Sequence, residues 1–248
     1  MIILLSPAKS LDFESKFNLE NSTIPAFANE AELLVKNLQK FNCKQLSTVM
    51  NISDNLAQLN FDRFKNFKSS QSRQALLAYN GDVYESLDKK NYQQQDFDFA
   101  QNHLLIISGL YGILRPFDLI KPYRLEMTCD FKNIDFFIKN LYDFWSEKIT
   151  DYLSKISTKT FVNLASNEYY SAINIKKIKQ DFINISFKEN KNGVFKIIGI
   201  NAKKARGLMA NFAIVNKIDD PKQLKNFDCE NYHFNAKLSS ENNWVFSR

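Results

Sequence analysis

Short apolar runs alternate with helically spaced apolar stripes along this chain. Ile2-Ile3-Leu4-Leu5 is a run of large aliphatic residues stopped by Ser6-Pro7, and it predicts a buried strand. Phe27, Ala31, Leu34, Leu38 and Phe41 recur three and four residues apart and predict a helix over 26–41. Residues 44–68 predict two or three short helices, with Ser53 and Asp54 placed to cap the one through Leu56 and Leu59. Residues 74–79 fit a short strand or a helix end equally well. A helix from Asp96-Phe97-Asp98-Phe99-Ala100 runs into a strand at Leu104–Ser108. Leu141, Phe144, Trp145, Ile149, Tyr152, Leu153 and Ile156 form the clearest amphipathic stripe, and Thr160–Leu164 predicts the next strand. Phe182–Phe187 and Val194–Ile200 flank Glu189-Asn190-Lys191-Asn192-Gly193, a hairpin signal. A helix then opens at Ala202-Lys203-Lys204-Ala205-Arg206-Gly207, striped by Ala205, Leu208, Met209, Phe212 and Val215, and a short strand lies near Trp244–Phe246. There is no repeat, linker or low-complexity run. The pattern predicts one mixed α/β domain over residues 1–248, a mixed central sheet with flanking helices.

Composition narrows the class. No run of eighteen apolar residues exists, so no membrane span or membrane partner is expected. The N-terminal stretch lacks a basic lead and a cleavage site, and reads as a strand instead of a signal peptide. Cys43, Cys129 and Cys229 are far apart and in no motif, which predicts reduced thiols and a cytoplasmic setting. The two histidines, His103 and His233, sit near no cysteine pair. A zinc site or a histidine-based triad is not expected, nor is any other metal or cofactor.

Charge is unevenly placed. Between Lys176 and Arg206 stand nine basic residues and two acids, a net of +7, whereas the whole chain carries +6. An excess confined to one window reads either as a surface that meets a polyanion or as a solvated lysine-rich face. Where the window ends, Lys203, Lys204 and Arg206 sit in a predicted first helical turn. Cations there oppose the helix dipole, so an anion site is the favoured reading. Arginine is scarce, with six against 27 lysines. In such a chain an arginine marks a place where the planar guanidinium fork is needed.

Three further segments follow predicted strands, where open α/β sheets place ligands. Ser6-Pro7-Ala8-Lys9-Ser10-Leu11-Asp12 offers Lys9 beside a hydroxyl. Ser108-Gly109-Leu110-Tyr111-Gly112-Ile113-Leu114-Arg115-Pro116 continues to Pro122-Tyr123-Arg124-Leu125-Glu126-Met127, and its arginines and tyrosines suit a phosphate plus a stacked base. The structural alternative there is an Arg124–Glu126 or Arg115–Asp118 ion pair. Asn163-Leu164-Ala165-Ser166-Asn167-Glu168-Tyr169 offers Ser166 and Glu168, with helix capping as the plain alternative.

Taken in order, Ser-Pro-Ala-Lys-Ser-Leu-Asp at 6–12, Gly-Asp-Val-Tyr at 81–84, Ile-Ser-Gly-Leu-Tyr-Gly-Ile-Leu-Arg-Pro at 107–116, Pro-Tyr-Arg-Leu-Glu-Met at 122–127, Asn-Leu-Ala-Ser-Asn-Glu-Tyr at 163–169 and Lys-Lys-Ala-Arg-Gly-Leu-Met at 203–209 closely resemble the YaaA family of bacterial peroxide-stress proteins. The likeness covers almost the whole chain. It implies a cytoplasmic protein of the oxidative-stress response that limits free iron. It also implies binding to duplex and branched DNA through a positive cleft, and a mixed α/β fold with a helix-hairpin-helix element, here placed at Lys44–Phe67. Two departures stand out. That element lacks the usual glycine pair, and Asn201 replaces an aromatic residue before the lysine pair. The resemblance supplies no reaction.

Two functions follow. The first is a DNA-binding protein of the peroxide response with low sequence specificity, using Lys9, Arg115, Arg124, Ser166, Lys176, Lys177, Lys203, Lys204 and Arg206. The second is an enzyme acting on a nucleotide or nucleobase, a nucleotide-like small ligand in a strand-end pocket, with Lys9, Glu126 and Glu168 as candidate catalytic groups. Backbone binding alone does not need carboxylates in a cleft, because they repel phosphates; a base-reading or catalytic pocket uses them. Direct iron binding has little to stand on, with two scattered histidines and no carboxylate pair at ligand spacing.

Overall fold

The computed structural model describes residues 1–17 and 19–248. β1 (Ile2–Leu5) lies mid-sheet and is wholly buried, paired in parallel with β5 (Leu104–Ser108) on one side and β8 (Thr160–Asn163) on the other. Helices cover both faces here, so these strands read as unbroken apolar runs without alternation. β9 (Asp181–Lys191) and β12 (Asn243–Ser247) extend the parallel set beyond β8. Short antiparallel strands finish the two sides: β6 (Gly112–Leu114) against β5, and β11 (His233–Phe234) against β12. β10 (Val194–Lys196) returns along β9 through Asn192-Gly193, at φ 54° and 84°, the left-handed pair that Asn-Gly supplies. The mixed α/β fold is the one the pattern predicted.

α1 (Ala28–Leu38) follows the first loop. α2 (Cys43–Met50) and α3 (Asp54–Lys65) make a helical hairpin in the place expected for the helix-hairpin-helix element. Asn42 and Gln45 cap α2 reciprocally, each side-chain oxygen accepting the other's backbone N–H at 2.9 Å. Residues 74–79 resolve into more than one element: β3 (Arg73–Gln74), α4 (Ala75–Ala78) and β4 (Tyr79–Asn80), then α5 (Asp82–Glu85). β3 pairs with β7 (Leu119–Ile120), and β4 with β2 (Ser10–Leu11). α6 (Gln94–His103) runs straight into β5. α7 (Leu141–Ser154) starts where Asn140 accepts from the Asp143 N–H at 2.8 Å, and buries Leu141, Trp145, Ile149 and Leu153. α8 (Asn167–Tyr170) is one turn after β8, and α9 (Gly199–Val215) follows the hairpin.

One boundary differs from expectation in a way that matters. β10 ends at Lys196 and does not reach Ile200, while α9 begins at Gly199, not at Ala202. The β-branched Ile197 and Ile200 read as strand, but both are more than half exposed, at 54% and 57%, and pair with nothing. The Ala202 N–H donates to Ile198 O at 2.8 Å and closes the first turn. Lys203, Lys204 and Arg206 therefore stand beyond that turn. The argument from free N–H groups and the helix dipole does not apply to them.

Candidate functional site

Because β1, β5 and β8 run the same way, the loops that leave them meet at one side of the sheet. The Ser166 N–H donates to Ser6 Oγ at 2.8 Å, tying the end of β1 to the end of β8. The β2–β4 pairing, Ser10 opposite Asn80, draws Asn80-Gly81-Asp82 against the Lys9 loop. These segments and α9 enclose a cleft of about 390 Å³, lined among others by Lys9, Asn80, Asp82, Glu168, Lys203 and Arg206. Its floor is fixed by buried hydroxyls. Tyr84 OH donates to Ser6 O at 2.8 Å, and Tyr123 OH lies 2.6 Å from Tyr79 OH and 2.7 Å from Ser108 Oγ. Burial pushes the Tyr123 phenol up to about 12, so it stays protonated.

Segment 122–127 comes close behind the cleft because Gly109 lets it. A Cβ there would fall 2.2 Å from Leu125 O, so only glycine permits the two backbones to touch. Glu126 Oε1 then accepts from Lys9 Nζ and from Arg124 Nη2, both at 2.9 Å. Glu126 is 14% exposed and Arg124 17%, whereas Lys9 is 63% exposed, so the Arg124 pair is the drier one. Arg63 on α3 stands close enough for Arg124 to act on it. Burial first, and that charge second, lower its affinity for a proton. Glu168 has one protein donor on Oε1, Thr128 Oγ1 at 3.4 Å. Beneath them Cys129 is buried. Burial pushes its thiol up to about 12, and the charges of Glu126 and Glu168 push the same way.

α9 forms the remaining wall. Gly207 packs on the backbone of Val83, and a Cβ there would fall 2.1 Å from Val83 O. Arg206 is thereby half-buried against the cleft. Among the described residues its guanidinium has no ion pair or hydrogen bond, and its Nε is wholly buried without a partner. Burial lowers its proton affinity. Lys203, one turn earlier on the same face, is exposed at the cleft rim.

A family model described as peroxide stress protein YaaA matches residues 1–238. The chain belongs to the YaaA peroxide-stress family. A UPF0246 protein of Acaryochloris marina is 46% identical over 254 residues, covering all of both chains. A UPF0246 protein of Rickettsia felis is 45% identical over 250 residues, covering 99% of each. One of Paraburkholderia phytofirmans is 44% identical over 258 residues, covering all of this chain and 98% of the relative.

The YaaA motifs do not all gather at the cleft. Lys9, Ser166, Glu168, Lys203 and Arg206 line it, and Arg124 and Glu126 join through Lys9. Arg115 lies elsewhere, since β6 runs antiparallel to β5 and carries the chain back. It pairs with Asp118 at 3.5 Å. Lys176 and Lys177 lie on an exposed turn, with Lys177 3.7 Å from Glu147. Lys204 faces the other side of α9, beside Glu230 and Tyr232. The +7 window is therefore spread over several faces. Lys191 stands 3.5 Å from the buried Glu189, which also accepts from Asn201 at 2.6 Å and Arg248 at 3.0 Å. Asn201, the departure from the family pattern, thus ties α9 to β9. Asp12 turns to Arg73, 3.2 Å away, and hydrogen bonds from Ser15 and Glu14 hold its carboxyl at about 2. Asn80, Thr128 and Arg63 are members of the site that the sequence reading left out, and Asp82 stood in the Gly-Asp-Val-Tyr motif without being singled out. For Arg63 the scarcity of arginine was a usable signal. Among the described residues no group of three His, Cys, Asp or Glu is placed to hold a metal ion, and no helix is long and apolar enough to cross a membrane.

Proposed function

We propose that this YaaA-family protein works in the cytoplasm as a DNA-binding protein of the peroxide response, limiting iron-driven DNA damage or aiding its repair. The observation that carries the reading is Arg206, a half-buried guanidinium with no partner among the described residues, in a cleft that Lys203 and Lys9 also line. Desolvating a charge costs several kcal/mol unless a counter-charge arrives, and a phosphate is a fitting one. The family supplies the peroxide context. Binding is mainly electrostatic and low in sequence specificity. Affinity for random duplex should fall steeply with salt, log K against log salt being linear. Gel shifts over a salt series test this, and a flat response overturns it. In the same series Lys203→Ala/Arg206→Ala should lose more affinity than Lys188→Ala/Lys191→Ala, because the second pair flanks an exposed turn away from the cleft.

A second reading, an enzyme acting on a nucleotide or nucleobase, is favoured by one observation: the carboxylate of Glu168 lines the same cleft as the cations. A surface meant only for phosphates gains nothing from it.

A further inference from the structure

The cleft holds charges of both signs: Lys9, Lys203 and Arg206 against Asp82 and Glu168, with no ion pair among these five side chains within the described residues. Lys203 and Arg206 come from α9, while Glu168 enters from the turn after β8, with the Thr128 hydroxyl on one of its oxygens. No carboxylate lies within ion-pair distance of Arg206 among the described residues. The lining also offers apolar surface, from Pro7, Ala8, Val83 and Leu164, beside the polar Ser10, Asn80 and Ser166.

Size decides what enters. At about 390 Å³ the cleft falls in the range of small-molecule pockets. A whole duplex is too large to enter it, and only its backbone phosphates can reach Lys203 and Arg206 from the rim. One nucleotide does fit, and its chemistry matches the mixed charge. The phosphate is an anion that seeks a guanidinium, the base has two flat apolar faces, and the base edge presents N–H groups that a carboxylate accepts.

We propose that the cleft binds one nucleoside monophosphate unit, with its phosphate on Lys203 and Arg206 and the donor edge of its base on Glu168. The base faces lie against the apolar part of the lining. Guanine is the preferred base. Its N1–H and N2–H₂ stand side by side and match both oxygens of a carboxylate. Adenine and cytosine offer a single amino group. Thymine offers one N–H between two carbonyl oxygens, which repel Glu168. The unit is either a free nucleotide or one residue swung out of a DNA strand. The pocket rests on the nucleotide reading above and shares Arg206 with the DNA reading, which bears on the source.

Calorimetric titration of the whole protein with the four 2′-deoxynucleoside 5′-monophosphates, deoxyguanosine and inorganic phosphate tests the assignment. dGMP should bind most tightly and dTMP least. Loss of the phosphate, or Arg206→Gln, should weaken dGMP by about tenfold or more, as removal of a charge-assisted contact does. Glu168→Gln should erase the preference for dGMP over dTMP and leave inorganic phosphate unaffected. Should Arg206→Gln fail to fold, Lys203→Ala at the exposed rim serves in its place. Equal binding of all four nucleotides, or phosphate binding as tightly as dGMP, overturns the proposal. So does duplex DNA binding with no nucleotide binding, an outcome that leaves the DNA reading standing. Nucleotide binding without DNA binding supports the pocket, names free nucleotide as the source and removes the DNA reading. Tighter binding of a duplex with one unpaired guanine than of its fully paired counterpart supports the pocket and names DNA as the source.

Discussion

Gly207 lies so close to Val83 that a Cβ on it would fall 2.1 Å from the Val83 carbonyl oxygen. Backbone thus meets backbone where α9 crosses α5, and this contact sets how near Lys203 and Arg206 come to Asn80 and Asp82. Alanine at 207 gains about 1 kcal/mol of helix propensity. It also forces two backbones apart, and overpacking of that kind costs roughly 1–3 kcal/mol. The second effect wins, because a carbonyl has no rotamer to escape into. Gly207→Ala should lower the melting temperature and weaken DNA binding together. Unchanged values of both contradict this packing account.

Arg206→Met keeps the apolar stem of the side chain and removes a half-buried charge that has no partner among the described residues. The variant should be more stable by about 1 kcal/mol or more, since the desolvation penalty disappears. Its DNA affinity should fall. A gain in stability with a loss of binding is the mark of a residue kept for a ligand. Thermal unfolding and gel shift on one preparation check both signs, and a destabilised variant that binds fully refutes the role.

Glu126 neutralises Arg124 in a drier setting than it does Lys9, and Arg63 adds a second guanidinium nearby. Glu126→Gln should therefore destabilise the fold by about 1–3 kcal/mol, because Arg124 is left without its counter-charge. Arg63→Gln in the same chain should return part of that loss. A Glu126→Gln protein that melts normally but fails to protect cells against peroxide would move Glu126 from the scaffold to the chemistry.

A peroxide-stress protein invites the idea of a thiol sensor, and Cys129 is set against it. Peroxide attacks the thiolate, and burial keeps this thiol protonated, up to about 12. Folded protein exposed to peroxide near neutral pH should keep Cys129 reduced by mass spectrometry, and the denatured protein should not. Sulfenic acid at Cys129 in the folded state counts against this.

Much of this was legible in the chain. Ile2–Leu5 and Thr160–Leu164 announce buried parallel strands, and the rule that ligands gather at strand ends places Lys9, Ser166 and Glu168 together. The rest depends on direction and partnership, which residue type does not encode. Nothing in Gly112-Ile113-Leu114-Arg115 says that this strand runs backward and takes Arg115 away from Arg124. Ile197-Ile198-Gly199-Ile200 has strand propensity, but no neighbour offers it a ladder and the helix wins. The lysine-rich window looks continuous on paper because hairpin and helix periodicity, which turn its members to different sides, are invisible in a sum of charges. The likeness of motifs marked segments that matter. The short-range pairs Arg124–Glu126 and Arg115–Asp118 were legible from spacing, whereas the Lys9–Glu126 pair, distant in sequence, was not.

The short strands that finish the main sheet, and the β10 arm beside β9, bear on how its edges meet other chains. β11 offers two residues and β6 three, and β10, also three, ends on Lys196. A foreign strand seeking unpaired amides finds almost no template there, and a lysine where one begins. Edges this short give little room for edge-to-edge pairing with another chain.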